Sequence, residues 1–375
     1  MTALGVNPSL GAANLLARMG QRAAAPVTVT FQVTDRCNYG CIHCYETHGD
    51  KEELSLAEID RILGEIADEG TLFVVLTGGE FFMRRDAEEI LRAARRRRFA
   101  VKLLTTGWFV NEARADLIAE LGSIQVDMSF YSGDPDVHDH ITQIRGSWKR
   151  TLEAAERLRA RRVPTVLKSP LMSLNADGIE EVGQIARKLG CQHQLDAKIT
   201  TREDGDTGPL AMRVGEDALR AFYTEAWKGQ GAPEHKDLDA TPCRAGQDVC
   251  GINPQGLVSA CHTIPRYGGD LRKQSFREIW RGSDEIRRVR ELTWRRIEEC
   301  NVCDVRDFCS RCHAMAYLED GKLDGPSREA CRHAVILRSL LREQGVVPAG
   351  TGEDTLPPPL ASRGRVRPKA LRILT

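Results

Sequence analysis

VTVTFQVTDRCNYGCIHCY, residues 27–45, runs from a β-branched stretch straight into three cysteines spaced Cys37-x3-Cys41-x2-Cys44. Val27–Val33 reads as a strand because β-branched side chains dominate it. Thiolates at short, irregular spacing just past a strand suit an iron–sulfur cluster. Three thiolates leave one iron of a cubane without a protein ligand, and an open iron is where a substrate or cofactor binds and reacts.

Working outward from this stretch, strand-like and helix-like segments alternate over residues 26–228. Leu56–Ala67 carries Ile59, Ile62, Leu63 and Ile66 on one helical face, with Ser55 and Glu58 forming a capping box at its start. Strands are expected at 72–76, 101–105, 124–130, 163–167 and 192–197. Helices are expected at 86–97, 112–121, 148–159, 179–189 and 216–227. Repeated alternation implies parallel strands joined by right-handed crossovers. Six such units form an α/β fold, an open (β/α)6 partial TIM barrel, with reactive groups gathered at the C-terminal ends of the strands. The three cysteines follow the first strand, where that rule puts them.

Beyond residue 229 the pattern changes. The segment 229–345 is rich in Cys and Gly with short helical stretches, and reads as a small cysteine-rich domain organised around metal. Residues 1–25 form an N-terminal extension, and 346–375 a Pro-rich basic tail without fixed structure of its own. The chain has 375 residues, 53 Lys+Arg and 53 Asp+Glu, so net charge points to neither nucleic acid nor membrane. The absence of a signal peptide and of a long apolar run, together with C-x2-C spacings, favours metal ligation in a reducing cytoplasm over disulfides.

CNYGCIHCY, on the background of six β–α units, resembles the signature of radical S-adenosylmethionine (radical SAM) enzymes. The resemblance implies that Cys37, Cys41 and Cys44 hold a [4Fe-4S] cluster whose open iron binds the methionine part of SAM. Electron transfer to SAM would then release a 5′-deoxyadenosyl radical. Gly78-Gly79-Glu80, after the second strand, is similar to the motif that receives SAM's ammonium. Ser129, ending the fourth strand, resembles a SAM-contacting serine, although Tyr131 replaces the usual aspartate of that segment. Thr142 stands where relatives have a SAM-binding arginine, with Arg145 nearby as its replacement. Lys168 and Asn175 flank the fifth strand's end within reach of SAM. Asp196 ends the sixth strand at the same mouth. His138-Asp139 is expected to cap and orient its loop, and His43 to pack near the adenine.

The second cysteine set, Cys243-x12-Gly256-x4-Cys261 followed by Cys300-x2-Cys303-x5-Cys309-x2-Cys312 and Cys331, resembles a SPASM domain. Its last gap is two residues where the pattern has three. The resemblance implies two auxiliary [4Fe-4S] clusters: Cys243, Cys250, Cys261 and Cys312 on the nearer, and Cys300, Cys303, Cys309 and Cys331 on the farther. Paired zinc ribbons are the alternative for such C-x2-C pairs. Cys191 is left over as an inert thiol. Fully ligated clusters move electrons rather than bind substrate, which points to net oxidation of a substrate radical.

SPASM relatives mostly modify peptides, so the expected activity is oxidative crosslinking or dehydrogenation of a peptide, such as a ribosomally made precursor. The expected partners are that peptide, a separate leader-peptide recognition protein, and an electron donor such as flavodoxin or ferredoxin, with no membrane and no nucleic acid. The alternatives are a sulfatase-maturase-like protein dehydrogenase, an enzyme of tetrapyrrole or cofactor biosynthesis, and a catalytically inactive iron–sulfur protein. His262 stands where the sulfatase-maturase pattern has an aspartate base, and can itself accept a proton.

Overall fold

The computed structural model describes residues 19–20, 24–49 and 51–348. Most of the expected N-terminal extension and nearly all of the expected tail lie outside the described residues. The first half alternates β1 (Thr28–Gln32), α1 (Leu56–Asp68), β2 (Phe73–Thr77), α2 (Ala87–Arg96), β3 (Ala100–Thr105), α3 (Glu112–Leu121) and β4 (Ile124–Ser129). It continues through α4 (Pro135–Thr142), α5 (Ser147–Ala160), β5 (Thr165–Pro170), α6 (Ile179–Leu189), β6 (Gln192–Asp196) and α7 (Glu216–Ala226). Strands β1 to β6 pair in sequence order, all parallel. The open six-unit barrel is present.

Side-chain alternation along β1 explains the layering. Val29 and Phe31 are fully buried against the helices, while Thr28, Thr30 and Gln32 are half-buried on the other face. Ser55 and Glu58 form the expected capping box of α1, and Ile59, Ile62, Leu63 and Ile66 are its buried face. Facing the lumen, the buried Asp127 lies 3.5 Å from Lys102 Nζ and 3.9 Å from Lys168 Nζ. A closed eight-unit barrel fills its lumen with branched apolar residues. This lumen is polar and suits a reaction chamber.

The cysteine-rich half is not a separate layer. Strand β7 (Val249–Ile252) pairs parallel to β1, and β8 (Leu257–Ser259) and β9 (Tyr267–Asp270) follow antiparallel. The sheet therefore has nine strands in the order β6-β5-β4-β3-β2-β1-β7-β8-β9. These three strands leave no signal in the sequence, because runs of three or four residues containing Gly and Cys carry no usable periodicity. Helices α8 (Phe276–Gly282) and α9 (Asp284–Arg290) continue the main core with Phe276, Ile279, Trp280 and Ile286. After α10 (Glu298–Asn301) and α11 (His313–Asp320), the 16-residue α12 (Arg328–Glu343) packs on α7. The short helices expected in this half thus give way to one long final helix. Among the described residues no helix is long and apolar enough to cross a membrane.

Candidate functional site

Cys37, Cys41 and Cys44 lie on the loop that leaves the C-terminal end of β1. The loop is held at both ends. Arg84, almost fully buried, donates to the carbonyls of Val33 and Leu54, each at 2.9 Å, and pairs with Asp86. On the far side, the amides of Gly40 and Ile42 donate to Thr142 and Ile141 of α4. The three thiols are mutually close enough to interact electrostatically. Burial pushes each of them up to about 12, with Glu80 and Glu46 adding to the rise at Cys37, Glu46 at Cys44, and the Cys44 thiol at Cys41. Thiols in that state need a cation to become thiolates, which fits a cationic iron centre at this position.

Gly78 and Gly79 are there because the β2 turn presses onto this loop. A Cβ on Gly78 would lie 2.6 Å from Thr34 Cγ2, and one on Gly79 would lie 2.6 Å from the Arg36 carbonyl oxygen and 2.8 Å from Cys37 Cβ. The amides of Gly79 and Glu80 donate to Thr34 and Arg36 oxygens at 2.9 and 2.8 Å. Glu80 is fully buried, and its carboxylate accepts from the Phe82 amide, the Thr105 hydroxyl and the Thr106 amide. It clamps the ends of β2 and β3. The surface this turn offers to a ligand is backbone.

The segment after β4 supports the cysteines from a third direction. Tyr131, buried, places its hydroxyl 3.7 Å from Cys41 Sγ, beside the Ser129 hydroxyl and edge-on to His43. His138 Nδ1 accepts the Tyr131 amide at 3.1 Å, and Asp139 accepts the Gly146 and Trp148 amides and the Ser147 hydroxyl. Both therefore organise the loop. Thr142 bonds its neighbours through Ser147 Oγ at 2.7 Å. Arg145 is exposed on the turn between α4 and α5. Asn175, 2% exposed, uses its side chain on the Tyr131 and Pro170 carbonyls and the Met172 amide, tying the ends of β4 and β5. Lys168 pairs with Asp127 on the lumen face; burial holds its ammonium below the usual range while Asp127 opposes this. Asp196 is exposed at the end of β6.

A group of carboxylates that the motif reading passed over stands at the same mouth. Glu46 accepts from Gln32 Nε2 at 3.2 Å and from the Tyr45 hydroxyl at 3.1 Å. The Glu203 amide donates to the Tyr45 carbonyl at 2.9 Å. Burial raises both carboxyls to about 7, with Glu203 also acting on Glu46 and Asp35 on Glu203. His262, exposed at the same mouth, is electrostatically coupled to both. It rests on β7 where a Cβ at Gly251 would lie 2.4 Å from His262 Cα. No sequence motif marks Glu46 or Glu203; only the crossing of the β1 loop with the loop after β6 brings them together.

All twelve cysteines are unpaired as disulfides. Cys300, Cys303, Cys309 and Cys331 are near one another in every pairwise combination. Three of them pack with Trp294, Ile297 and Ala330. Cys243, Cys261 and Cys312 likewise interact electrostatically in each pair, and they pack with Ala245, Ala260 and Ile264. Cys250 differs. Its register partner on β1 is the fully buried Val29, so its side chain points into the main core with Phe276 and Trp280, and it reaches only Cys261. Strand alternation places it on the opposite face from the lumen. Cys191 packs half-buried against the main core.

Residues 31–189 match the radical SAM superfamily, and residues 243–304 match SPASM, an iron–sulfur cluster-binding domain. The chain carries a radical SAM domain and a C-terminal SPASM domain, and those two domains imply iron–sulfur clusters and SAM binding. Among curated relatives, it is 28% identical over 345 residues to the PqqA peptide cyclase of Ruegeria pomeroyi, covering 83% of this chain and 90% of that one. It is 23% identical over 328 residues to the AdoMet-dependent heme synthase of Methanosarcina barkeri, covering 79% and 94%. Among solved structures, Streptococcus suis SuiB bound to precursor peptide SuiA shares the fold with a TM-score of 0.66 at 14% identity, over 88% of this chain and 82% of that one. Native anSMEcpe with bound AdoMet gives 0.63 at 13% identity, over 85% and 98%.

Proposed function

We propose that this chain oxidatively modifies a peptide, forming a crosslink or a dehydrogenated residue, with a 5′-deoxyadenosyl radical as the hydrogen acceptor. The observation that carries this reading is the convergence of Cys37, Cys41 and Cys44 under the Gly78-Gly79 turn at a polar barrel mouth, with two further cysteine groups behind it. Cys37, Cys41 and Cys44 would hold the radical-generating cluster. Cys243, Cys261 and Cys312 would hold the nearer auxiliary cluster, and Cys300, Cys303, Cys309 and Cys331 the farther, making three in all. A SAM-ligating cluster supplies the electron that cleaves SAM reductively. The backbone of Gly78 and Gly79, with Ser129 and Lys168 on the mouth, would position SAM. Glu80 and Asn175 would act behind them by fixing the strand ends, and Arg145 is the cation free to approach a carboxylate from outside. Glu46, Glu203, His262 and Asp196 would take the proton that leaves as the substrate radical is oxidised.

The relationship to PqqA peptide cyclases and the shared fold with a precursor-bound enzyme support a peptide substrate. An electron donor such as flavodoxin or ferredoxin and a separate leader-binding protein complete the expected system, in the cytoplasm. The test is anaerobic reconstitution with SAM, dithionite and a candidate precursor peptide. The expected products are 5′-deoxyadenosine and a peptide lighter by two hydrogens, from protein holding about twelve irons. Protein holding about four irons plus zinc, or fully loaded protein yielding no 5′-deoxyadenosine, would sink the reading. A second reading, chemistry on a tetrapyrrole, draws on the similarity to the heme synthase. It predicts 5′-deoxyadenosine formation stimulated by a porphyrin and not by the peptide.

A further inference from the structure

Arg311 sits between Cys309 and Cys312 in sequence and is 1% exposed. Its Nε donates to the Gly325 carbonyl at 3.1 Å, its Nη2 to the Leu323 carbonyl, and its Nη1 to His313 Nδ1. All of these partners are neutral. The other two buried arginines among the described residues, Arg84 and Arg338, are less deeply buried and have carboxylates: Asp86 for the first and Asp304 for the second. Arg311 forms no ion pair with an Asp or Glu among the described residues. Burying a cation costs several kcal/mol unless an anion compensates it, so the fold needs negative charge here that no carboxylate provides.

The cysteines can provide it. The guanidinium hydrogen-bonds the Cys300 side chain and acts electrostatically on Cys309 and Cys331 in one group and on Cys243 in the other. Those cysteines belong to two separate packed groups of residues, and Arg311 acts on both. A thiolate-ligated iron–sulfur cluster carries net negative charge, and the charge grows by one on reduction. A fixed, desolvated cation acting on two such clusters favours the reduced form of each, because low-dielectric surroundings leave its field unscreened.

Resting on the auxiliary-cluster assignment above, we propose that Arg311 is the shared counter-ion of both auxiliary clusters, a positioning residue that makes each easier to reduce. Its role is to prepare the pair to accept the electron released when the substrate radical is oxidised, without touching substrate itself.

The test is a redox titration of reconstituted full-length protein followed by electron paramagnetic resonance, comparing the parent with Arg311→Met and Arg311→Lys. With all irons still bound, Arg311→Met is expected to move both auxiliary potentials to more negative values. The radical-generating cluster should keep its potential, and Arg311→Lys should recover most of the shift. Unchanged potentials, or movement of one auxiliary cluster alone, would overturn the proposal. If Arg311→Met does not assemble the clusters, Arg311→Lys decides. Assembly with near-parental potentials supports the charge, whereas loss of assembly with the charge retained assigns Arg311 to its carbonyl contacts only and overturns the proposal. Parent protein holding only about four irons would instead overturn the auxiliary-cluster assignment itself, an outcome visible before any variant is made.

Discussion

A methyl group on Gly79 would meet the Arg36 carbonyl and Cys37 Cβ, neither of which is the free end of a flexible side chain. The turn must lift or the cysteine loop must shift, and a misplacement of this size costs catalysis heavily. Gly79→Ala is expected to lower 5′-deoxyadenosine formation at least about tenfold, measured against auxiliary iron content that stays unchanged. Cys250 yields the opposite expectation for a cysteine. Its side chain is on the core face of β7, so Cys250→Ala should retain the iron of the parent, whereas Cys243→Ala should lose about four irons. The spacing does not reveal this, because Cys250 falls between Cys243 and Cys261 in sequence and only strand alternation separates it from them. Arg84, Glu46 and Glu203 were illegible for a related reason. Each acts across two loops, and no short motif records such a meeting.

At the scale of elements, α7 and α12 are joined by a buried polar chain. The Tyr223 hydroxyl lies 2.8 Å from His333 Nδ1, and His333 Nε2 lies 3.0 Å from Glu329 Oε1. Burial alone would raise the Glu329 carboxyl, but His333, Arg332 and Arg213 outweigh it and hold it at about 2, against an ordinary 4.5. A carboxyl depressed in the folded state stabilises the protein above its unfolded pKa, and that stabilisation is lost as pH falls through the folded value. Glu329→Gln is therefore expected to cost on the order of 3 kcal/mol near neutral pH. The difference from the parent should narrow as pH falls from about 4.5 towards about 2 in urea melts. The helix itself is obscured in the sequence by the cysteine spacing around it. Its apolar positions from Ala330 to Leu341 are regular enough to have shown it. By contrast α1, with its capping box and four-residue apolar face, was fully legible, since everything that makes it a helix is local.

At the scale of the molecule, the two halves share one sheet and one core. Ile252, Val258, Phe276 and Trp280 from the cysteine-rich half pack with Val29, Phe31 and the α1 face. Trp280 also donates its indole N–H to the Ala24 carbonyl at 2.6 Å. A fragment ending at residue 228 would expose the edge of β1 and an apolar face that the native chain buries, a strong template for association. Such a fragment is expected to aggregate or to fail to melt cooperatively, as checked by size-exclusion chromatography and calorimetry. A soluble, cooperatively folding barrel would show that the second half is dispensable for the core.

The sequence by itself determined the class of chemistry and the barrel that hosts it. Thiolate spacing and β–α alternation are short-range patterns, set by what ligates iron and by which side chains favour strand or helix. The tertiary structure alone decided that the second half extends the first half's sheet, that Cys250 lies on the core face of β7, and that the buried Arg311 has no carboxylate partner among the described residues. Those facts depend on strand register and on the closure of loops far apart in the chain. Register sends alternate side chains to opposite faces, and no local pattern around Cys250 or Arg311 states which face will hold the metal.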